Sequence, residues 1–251
     1  MNILFKLADA ARVMIRSGRG PGAFLQGGAS IASTQLVYNC SHYIPSLHTI
    51  LDVGANKGQF ALAVAHRYPQ ARIYSFEPVP DTYTLLQQYT RKISAIRAFN
   101  FALGSSDGSL EFYSNAYSHA SSALQVSTAQ IQLKPQTAHT RKMAVPVKRL
   151  DQLPDIRLKS PTLLKLDVQG FEREVLRGAT TLLPQIDYLL FETSFIPMYD
   201  GEPLFDEMHH FVKSLGFDFI APVGYLQSDN LRILQMDLLY QKRNDQSNTG
   251  M

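Results

Sequence analysis

The chain of 251 residues has little or none of several features that mark whole classes of protein. It contains no tryptophan and one cysteine, Cys40, which cannot form a disulfide within the chain. No run approaches the roughly 20 apolar residues that span a bilayer. Lys6, Asp9 and Arg12 interrupt the apolar N-terminus, so we recognise no signal-peptide core there. These absences lead us to expect a soluble, cytoplasmic protein.

The chain also lacks a concentrated charge. Its 24 Lys and Arg residues nearly balance 21 Asp and Glu residues, and the whole net charge of +3 lies in residues 1–30. A nucleic-acid-binding protein should carry a basic face, so we expect no nucleic-acid partner. Between Glu111 and Asp151 there are five basic residues and no acidic one. This stretch is either a solvated loop or a surface that faces an anionic substrate.

Strand-like segments alternate with helix-like segments along most of the chain. Parallel strands are predicted at residues 48–53, 72–78, 95–103, 163–168 and 187–194. The last two are nearly continuous apolar runs, which is typical of strands covered on both faces. Alternation of this kind implies right-handed crossovers and a doubly wound sheet. The segment GFEREVLRGATTLL (170–183) predicts a helix, and a turn at 105–108 predicts a hairpin that leads into strand SLEFY.

The C-terminal part breaks the alternation. Two strands, 218–225 and 233–241, follow each other with no helix between them, so they must pair as an antiparallel hairpin. The predicted fold is therefore α/β, with a mostly parallel doubly wound sheet that ends in an antiparallel hairpin. That pattern is typical of the Rossmann-like class I methyltransferase fold.

We expect three regions along the chain. Residues 1–45 form an N-terminal helical cap, residues 46–242 the main domain, and residues 243–251 a disordered tail. Within the main domain, the polar segment 114–145 is a substrate-side insertion. Residues 1–19 mix apolar and basic residues at helical spacing. They predict either a helix that packs over the site as a cap or a homo-oligomer contact, or a helix that lies on a membrane surface.

The segment LDVGANKGQF (51–60) carries the clearest chemical signal, because it joins a predicted strand to a predicted helix. Gly54 and Gly58 allow a tight turn whose N–H groups face a ligand. Glu77 ends the next strand, where a carboxylate can accept hydrogen bonds from ribose hydroxyls. The turn lacks the G-x-G-x-x-G spacing of a pyrophosphate site, and Asp52 would repel phosphate but could pair with an ammonium. These features favour S-adenosylmethionine as the ligand. The alternative is that Asp52 is a capping residue and Glu77 an acidic residue on the surface.

Several segments in order resemble the FkbM-type methyltransferase family. They are LDVGANKGQF, SFEPVP, NFALGSSDGSLEFY, LLKLDVQGFEREVLRGA, IDYLLFETS and MYDGEPLFDEMHHFVKSLGF, which span about residues 48–220. The resemblance implies an S-adenosylmethionine-dependent enzyme that methylates hydroxyl oxygens of sugars, glycans or secondary metabolites. It implies these cofactor-binding residues: Asp52, Gly54, Ala55, Asn56, Gly58, Phe60, Glu77, Asn100, Ala102 and Leu103. Asn100, Ala102 and Leu103 lie where adenine packs in such folds, although simple core packing explains them equally well.

Three residues are candidates for the catalytic end. Asp167 ends the strand whose tip faces the methyl group in this fold class, so it is the leading candidate for the base. Glu192 ends the next strand and could bind the acceptor, and His119 is a second candidate base on a loop. Glu172 is expected to cap a helix. Asp167, Glu192 and Asp200 offer oxygen ligands for a divalent cation, so a metal is possible, but no dedicated metal spacing supports it and we assign no metal ligands.

Two rival functions remain open on the sequence alone. One is an NAD(P)-dependent oxidoreductase on a similar sheet, against which the missing G-x-G-x-x-G and the terminal hairpin argue. The other is a non-catalytic module that binds a nucleotide or a glycan.

Overall fold

The computed structural model describes residues 11–13, 15 and 30–243, and the description below concerns those residues. The helices and strands in chain order are α1 (Ile31–Cys40), β1 (Thr49–Val53), α2 (Gln59–Arg67), β2 (Arg72–Phe76), α3 (Pro80–Thr90), β3 (Ile96–Phe99), β4 (Ala102–Leu103), β5 (Gly108–Asn115), α4 (Thr128–Leu133), β6 (Thr140–Lys148), β7 (Thr162–Leu166), α5 (Glu172–Arg177), β8 (Tyr188–Ser194), α6 (Phe205–Ser214), β9 (Phe217–Gln227) and β10 (Ile233–Lys242).

Seven strands form the main sheet, in the order β3-β2-β1-β7-β8-β10-β9. The first five run parallel, while β10 is antiparallel to both of its neighbours, β8 and β9. The predicted fold class is therefore confirmed, including the antiparallel hairpin at one end. Because β1, β2, β7 and β8 are parallel, their carboxyl ends and the loops that follow lie at one edge of the sheet.

The sheet is buried on both faces, as the apolar runs predict. Alternate residues of β1 belong to different cores: Leu51 packs in a cluster with residues of α5 and α6, and Ile50 packs in a cluster with residues of α1 and α2. Every residue of β1 and β7 is buried. Two-sided burial explains why these strands are continuously apolar. It also makes the few charged side chains inside them informative.

A smaller sheet corrects the predicted hairpin at residues 105–108. Its strand order is β4-β6-β5, so β6 lies between the two strands that we expected to pair. Strand 95–103 is also divided, because the side-chain amide of Asn100 donates to the carbonyls of Glu77 and Pro78 at 2.9 and 3.1 Å and ends β3. The second part, β4, pairs instead with β6 and helps to bury Val145 and Val147.

The predicted helix 170–183 is shorter than expected. Helix α5 ends at Arg177, and at the next residue, Gly178, a β-carbon would lie 1.9 Å from the carbonyl oxygen of Gly104. The backbones approach so closely that the helix cannot carry a side chain there. The N–H groups of Thr181 and Leu182 then turn towards the carboxylate of Asp151, at 3.0 and 3.1 Å. Tertiary packing therefore overrides a good helical pattern.

The insertion at 114–145 is ordered by contacts with the loop after β8. Ser127 donates its N–H to the carbonyl of Met198 and its hydroxyl to the carbonyl of Pro197, at 2.9 and 2.7 Å. Val126 packs in one apolar cluster with Tyr199. The predictions for residues 1–19 and for the tail fall almost entirely outside the described residues. In the ranges described above, no helix is long and apolar enough to cross a membrane.

Candidate active site

A cavity of about 430 Å³ opens at the carboxyl edge of the main sheet, a size that suits a small ligand. Eight of the predicted site residues line it: Gly54, Asn56, Glu77, Ala102, Leu103, His119, Asp167 and Glu192. The structure thus brings all three predicted catalytic residues to the cavity that the glycine turn borders. The other five, Asp52, Ala55, Gly58, Phe60 and Asn100, do not line it.

The glycine turn is held rigidly at the bottom of the cavity. Gly54 has φ +74°, and the N–H groups of Gly54 and Ala55 both donate to the carbonyl of Phe76, at 3.1 and 2.9 Å. Asn56 follows with φ +48°, a left-handed conformation that is uncommon outside glycine. The turn packs directly on the backbone of Asp167, because a β-carbon at Gly54 would lie 1.9 Å from its carbonyl oxygen.

Glu77 fastens this turn to the end of β2. One carboxylate oxygen accepts the N–H of Asn56 and the other accepts the N–H of Val79, both at 2.9 Å. Burial raises the pKa of Glu77 to about 7, although these two donors lower it. Each carboxylate oxygen has a further lone pair, and Glu77 lines the cavity. It can therefore accept hydrogen bonds from the two hydroxyls of a ribose.

The raised pKa of Glu77 predicts pH-dependent cofactor binding. Below about pH 7 the carboxyl is protonated and loses its strength as an acceptor, so affinity for S-adenosylmethionine should rise between pH 6 and 8. Calorimetric titration across this range measures the effect. The matched control is Glu77→Gln, which should bind several-fold more weakly and without this pH dependence. An equally steep pH dependence in Glu77→Gln would contradict the assignment.

Apolar side chains wall the cavity beyond Glu77, where the adenine base was predicted. Ala102 and Leu103 line it, together with Phe101 and Phe112, which the sequence reasoning did not select. The ring of Phe101 packs 5.7 Å from that of Phe76. Asn100, by contrast, holds the backbone at the end of β2, as described above. The apolar wall suits a flat base, with Asn100 as its structural support.

Asp52 does not reach the cavity, which corrects its predicted contact with an ammonium group of the ligand. It has no exposed surface, and its Oδ1 lies 3.0 Å from Nζ of Lys165. Burial raises the pKa of Asp52, and the charge of Lys165 opposes that rise. Lys165, on β7, also lies 3.7 Å from the carboxylate of Asp167. Sequence reasoning missed this lysine, although a lone lysine in an otherwise apolar strand was a usable signal.

The carboxylates of Asp167 and Glu192 both accept a hydrogen bond from the same side-chain amide. Nε2 of Gln169 donates to Oδ1 of Asp167 at 2.7 Å and to Oε2 of Glu192 at 2.9 Å. The hydroxyl of Tyr199 donates to Oε1 of Gln169 at 2.7 Å, which fixes the amide with its nitrogen towards both carboxylates. Nε2 of Gln235 also donates to Glu192, at 2.9 Å. Gln169, Tyr199 and Gln235 are functional candidates that only the tertiary structure reveals.

The two carboxylates have different surroundings. Burial raises the pKa of Glu192 well above its usual range, and Asp167 and Asp237 raise it further. The Asp167 side chain is 42% exposed and lies near the ammonium of Lys165. This contrast favours a protonated Glu192 beside an Asp167 that can accept a proton.

Glu172, which was predicted to cap a helix, is buried at the first residue of α5. Its Oε1 accepts the N–H of Val168 at 3.0 Å, in the loop before the helix, and its carboxylate also accepts its own N–H. Burial raises its pKa to about 8. It therefore stabilises the loop that carries Gln169.

His119 lies at the mouth of the cavity, on the loop between β5 and α4. Desolvation lowers its pKa, so the imidazole is neutral near pH 7 and can accept a proton. Neighbouring serines organise this loop: Ser118 donates to Oδ1 of Asn56 at 3.2 Å, and Ser122 donates to the carbonyl of Gln169 at 2.7 Å. The loop therefore connects the glycine turn with the carboxylate pair.

The predicted divalent-cation ligands are not grouped as a metal site. Within residues 11–13, 15 and 30–243, no three His, Cys, Asp or Glu side chains are arranged to hold a metal ion. Asp200 is exposed and does not line the cavity that Asp167 and Glu192 share.

Comparison with known proteins shows the family of this chain. Residues 52–219 match the profile of the family described as "Methyltransferase FkbM domain". "Methyltransferase 1" of Beauveria bassiana is 32% identical over 181 residues, which cover 67% of this chain and 71% of the relative. "2-O-methyltransferase NoeI" of Sinorhizobium fredii is 25% identical, covering 61% and 66%. "Hexuronic acid methyltransferase AglP" of Haloferax volcanii is 28% identical, covering 56% and 54%. The matches to NoeI and AglP thus span less than two thirds of those relatives.

Proposed function

This chain belongs to the FkbM methyltransferase family, and we propose that it methylates a hydroxyl oxygen of a sugar or glycan. It is an S-adenosylmethionine-dependent methyltransferase, and family membership removes the oxidoreductase and the non-catalytic module as alternatives. The observation that carries the proposed acceptor is the pair of carboxylates, Asp167 and Glu192, bridged by Gln169 at the edge of the cofactor cavity.

The cavity fits S-adenosylmethionine in both shape and charge. Glu77 would hold the ribose, the turn at Gly54 would lie against the amino-acid part, and the wall at Phe101 would pack against adenine. Glu77 and Asp167 place carboxyl groups in the lining, which suits a ligand that carries a sulfonium and an ammonium. When bound, this cofactor supplies a methyl group that needs no further activation by the protein.

Asp167 is proposed to accept the proton of the acceptor hydroxyl. Gln169 holds Oδ1 of its carboxylate, and Oδ2, which lies 3.7 Å from Nζ of Lys165, has a lone pair left to accept from a substrate hydroxyl. A protonated Glu192 can donate a hydrogen bond to another hydroxyl of the same acceptor. The chain thus orients the acceptor and removes its proton, which are the two contributions that methyl transfer to oxygen requires.

A neutral polyol fits this site better than an acid. Burial raises the pKa of Glu172, Glu192 and Glu202, and the charge of Asp167 adds to the rise for Glu172 and Glu192. The site therefore disfavours further negative charge, and a carboxylate acceptor would add one beside Asp167. The name of the relative NoeI, a 2-O-methyltransferase, supports methylation of oxygen, whereas AglP is named a hexuronic acid methyltransferase, so its name supports a sugar but not a neutral one.

A paired acceptor screen tests the proposal. The purified protein and S-adenosylmethionine are offered neutral hexosides, matched hexuronides and matched amino sugars with one common aglycone, and S-adenosylhomocysteine is measured. We expect product with one or more neutral hexosides, and Asp167→Asn as a control should give none above background. Product with the hexuronides or the amino sugars alone, carrying a methyl ester or an N-methyl group, would contradict a hydroxyl acceptor.

A further inference from the structure

Lys165 lies at the centre of the site but does not line the cavity. It is 5% exposed, in the middle of the main sheet on β7. Its ammonium donates to the carbonyl of Gly54 at 3.1 Å and approaches that of Val53 at 3.4 Å. It lies 3.0 Å from Asp52 and 3.7 Å from Asp167. One buried cation therefore touches both the cofactor turn and the candidate base.

The surroundings keep this lysine charged. Burial by itself would lower the pKa of Lys165, but the nearby carboxylates of Asp52 and Asp167 raise it overall. The ammonium also lies 5.5 Å from the centre of the Phe60 ring, which favours the cation. Lysine is almost never fully buried unless it is paired, so the arrangement needs a reason beyond packing.

We propose that Lys165 is a positioning residue that joins the glycine turn to Asp167. Its ammonium holds the carbonyl of Gly54 on one side and the carboxylate of Asp167 on the other, so the cofactor and the base keep a fixed relation. The contact of Lys165 with the glycine turn does not involve the acceptor. The role of its contact with Asp167 rests on the proposed function, in which Asp167 takes the proton.

Asp52 acts through Lys165 in this arrangement. Its carboxylate has no exposed surface, and neither oxygen has an aligned hydrogen-bond partner among the described residues, so the ion pair is its main contact. A carboxylate so placed can hold the lysine against the turn, but it cannot meet a ligand. Asp52 and Lys165 should therefore behave as one unit in a double-mutant cycle.

Cofactor binding by Lys165→Met tests the proposal without any acceptor. We expect the Kd for S-adenosylmethionine and for S-adenosylhomocysteine to rise at least about tenfold, the scale of lost charge-assisted hydrogen bonds. The matched control is Lys242→Met, because Lys242 makes similar contacts away from the cavity. Its Nζ lies 4.7 Å from the Phe217 ring and 3.2 Å from the carbonyl of Leu215. This control should bind both ligands as the wild type does.

A second variant covers the case in which Lys165→Met does not fold. Removing one partner of a buried ion pair leaves the other uncompensated, whereas replacing both by apolar residues is often tolerated. Asp52→Leu/Lys165→Met should therefore fold, and its Kd for S-adenosylmethionine should be at least about tenfold higher than that of the wild type. Wild-type affinity in the folded double variant would overturn the proposal. It would leave the proposed hydroxyl acceptor untouched, because no acceptor takes part.

The pH profile separates positioning from simple structural support. The charge of Lys165 lowers the pKa of Glu77, which burial has raised to about 7. In Lys165→Met the rise of cofactor affinity with pH should therefore move to higher pH, while Lys242→Met keeps the wild-type profile. If Lys165→Met had the wild-type Kd and the wild-type pH dependence of cofactor affinity, the lysine would have only a packing role in the sheet.

Discussion

Replacing Asp167 by asparagine is expected to lower kcat by about 10²- to 10⁴-fold, the usual contribution of a positioned general base. Asparagine is nearly the same size and keeps an oxygen for Nε2 of Gln169, so the geometry should survive. It cannot accept a proton from the acceptor hydroxyl. The Kd for S-adenosylmethionine should therefore change far less than kcat. Single-turnover kinetics with the best acceptor from the screen, together with calorimetry, measures both quantities.

The matched control for this variant is Asp155→Asn. Asp155 forms an exposed ion pair with Arg97 at 2.7 Å, and its loss should leave turnover unchanged. Wild-type turnover in Asp167→Asn would remove Asp167 as the base. His119, which lines the same cavity with a lowered pKa, would then be the next residue to replace.

Replacing Gly54 by alanine is expected to abolish cofactor binding or to prevent folding. The new β-carbon would lie 1.9 Å from the carbonyl oxygen of Asp167 and 2.8 Å from its carbonyl carbon. Both are backbone atoms between neighbouring strands, so neither can move without separating β1 from β7. The free energy of unfolding should fall by more than about 4 kcal/mol, which places this variant among the most damaging substitutions.

Gly201→Ala is the matched control, because Gly201 has nearly the same φ, +76°, but no atom within 4 Å of an added β-carbon. It isolates the cost of the left-handed backbone, about 1–2 kcal/mol, from the steric clash. Thermal and denaturant unfolding of both variants measures the difference. Equal destabilisation by the two substitutions would show that the turn and Asp167 are not in the contact described here.

Features that depend on local sequence were predictable. The strands were found because two-sided burial makes them apolar, and the reversed hairpin because no helix separates its strands. Asp167, Glu192 and Glu77 were found because the carboxyl ends of parallel strands meet at one edge. The glycine turn follows from its spacing between a strand and a helix. In each case the residue type and the strand or turn that places it lie within a few residues of each other in the sequence.

Features that depend on distant contacts were not predictable in the same way. Asp52 was expected to face the ligand, but its direction depends on Lys165, more than 100 residues later. The amide of Gln169 acquires its role only when Tyr199 and both carboxylates surround it. Strand β6 displaced the predicted hairpin because it could bury its valines between β4 and β5. None of these pairings leaves a periodic signal along the chain.

The position of the transferred methyl group shows directly whether the acceptor is a sugar hydroxyl. The protein is incubated with S-adenosylmethionine labelled with ¹³C in the methyl group and with the acceptor that the screen identifies, and the product is examined by ¹H–¹³C NMR. We expect a methyl ether at a sugar hydroxyl, formed in the same amount as S-adenosylhomocysteine and absent when Asp167→Asn replaces the wild type. A labelled methyl ester or N-methyl group would contradict it.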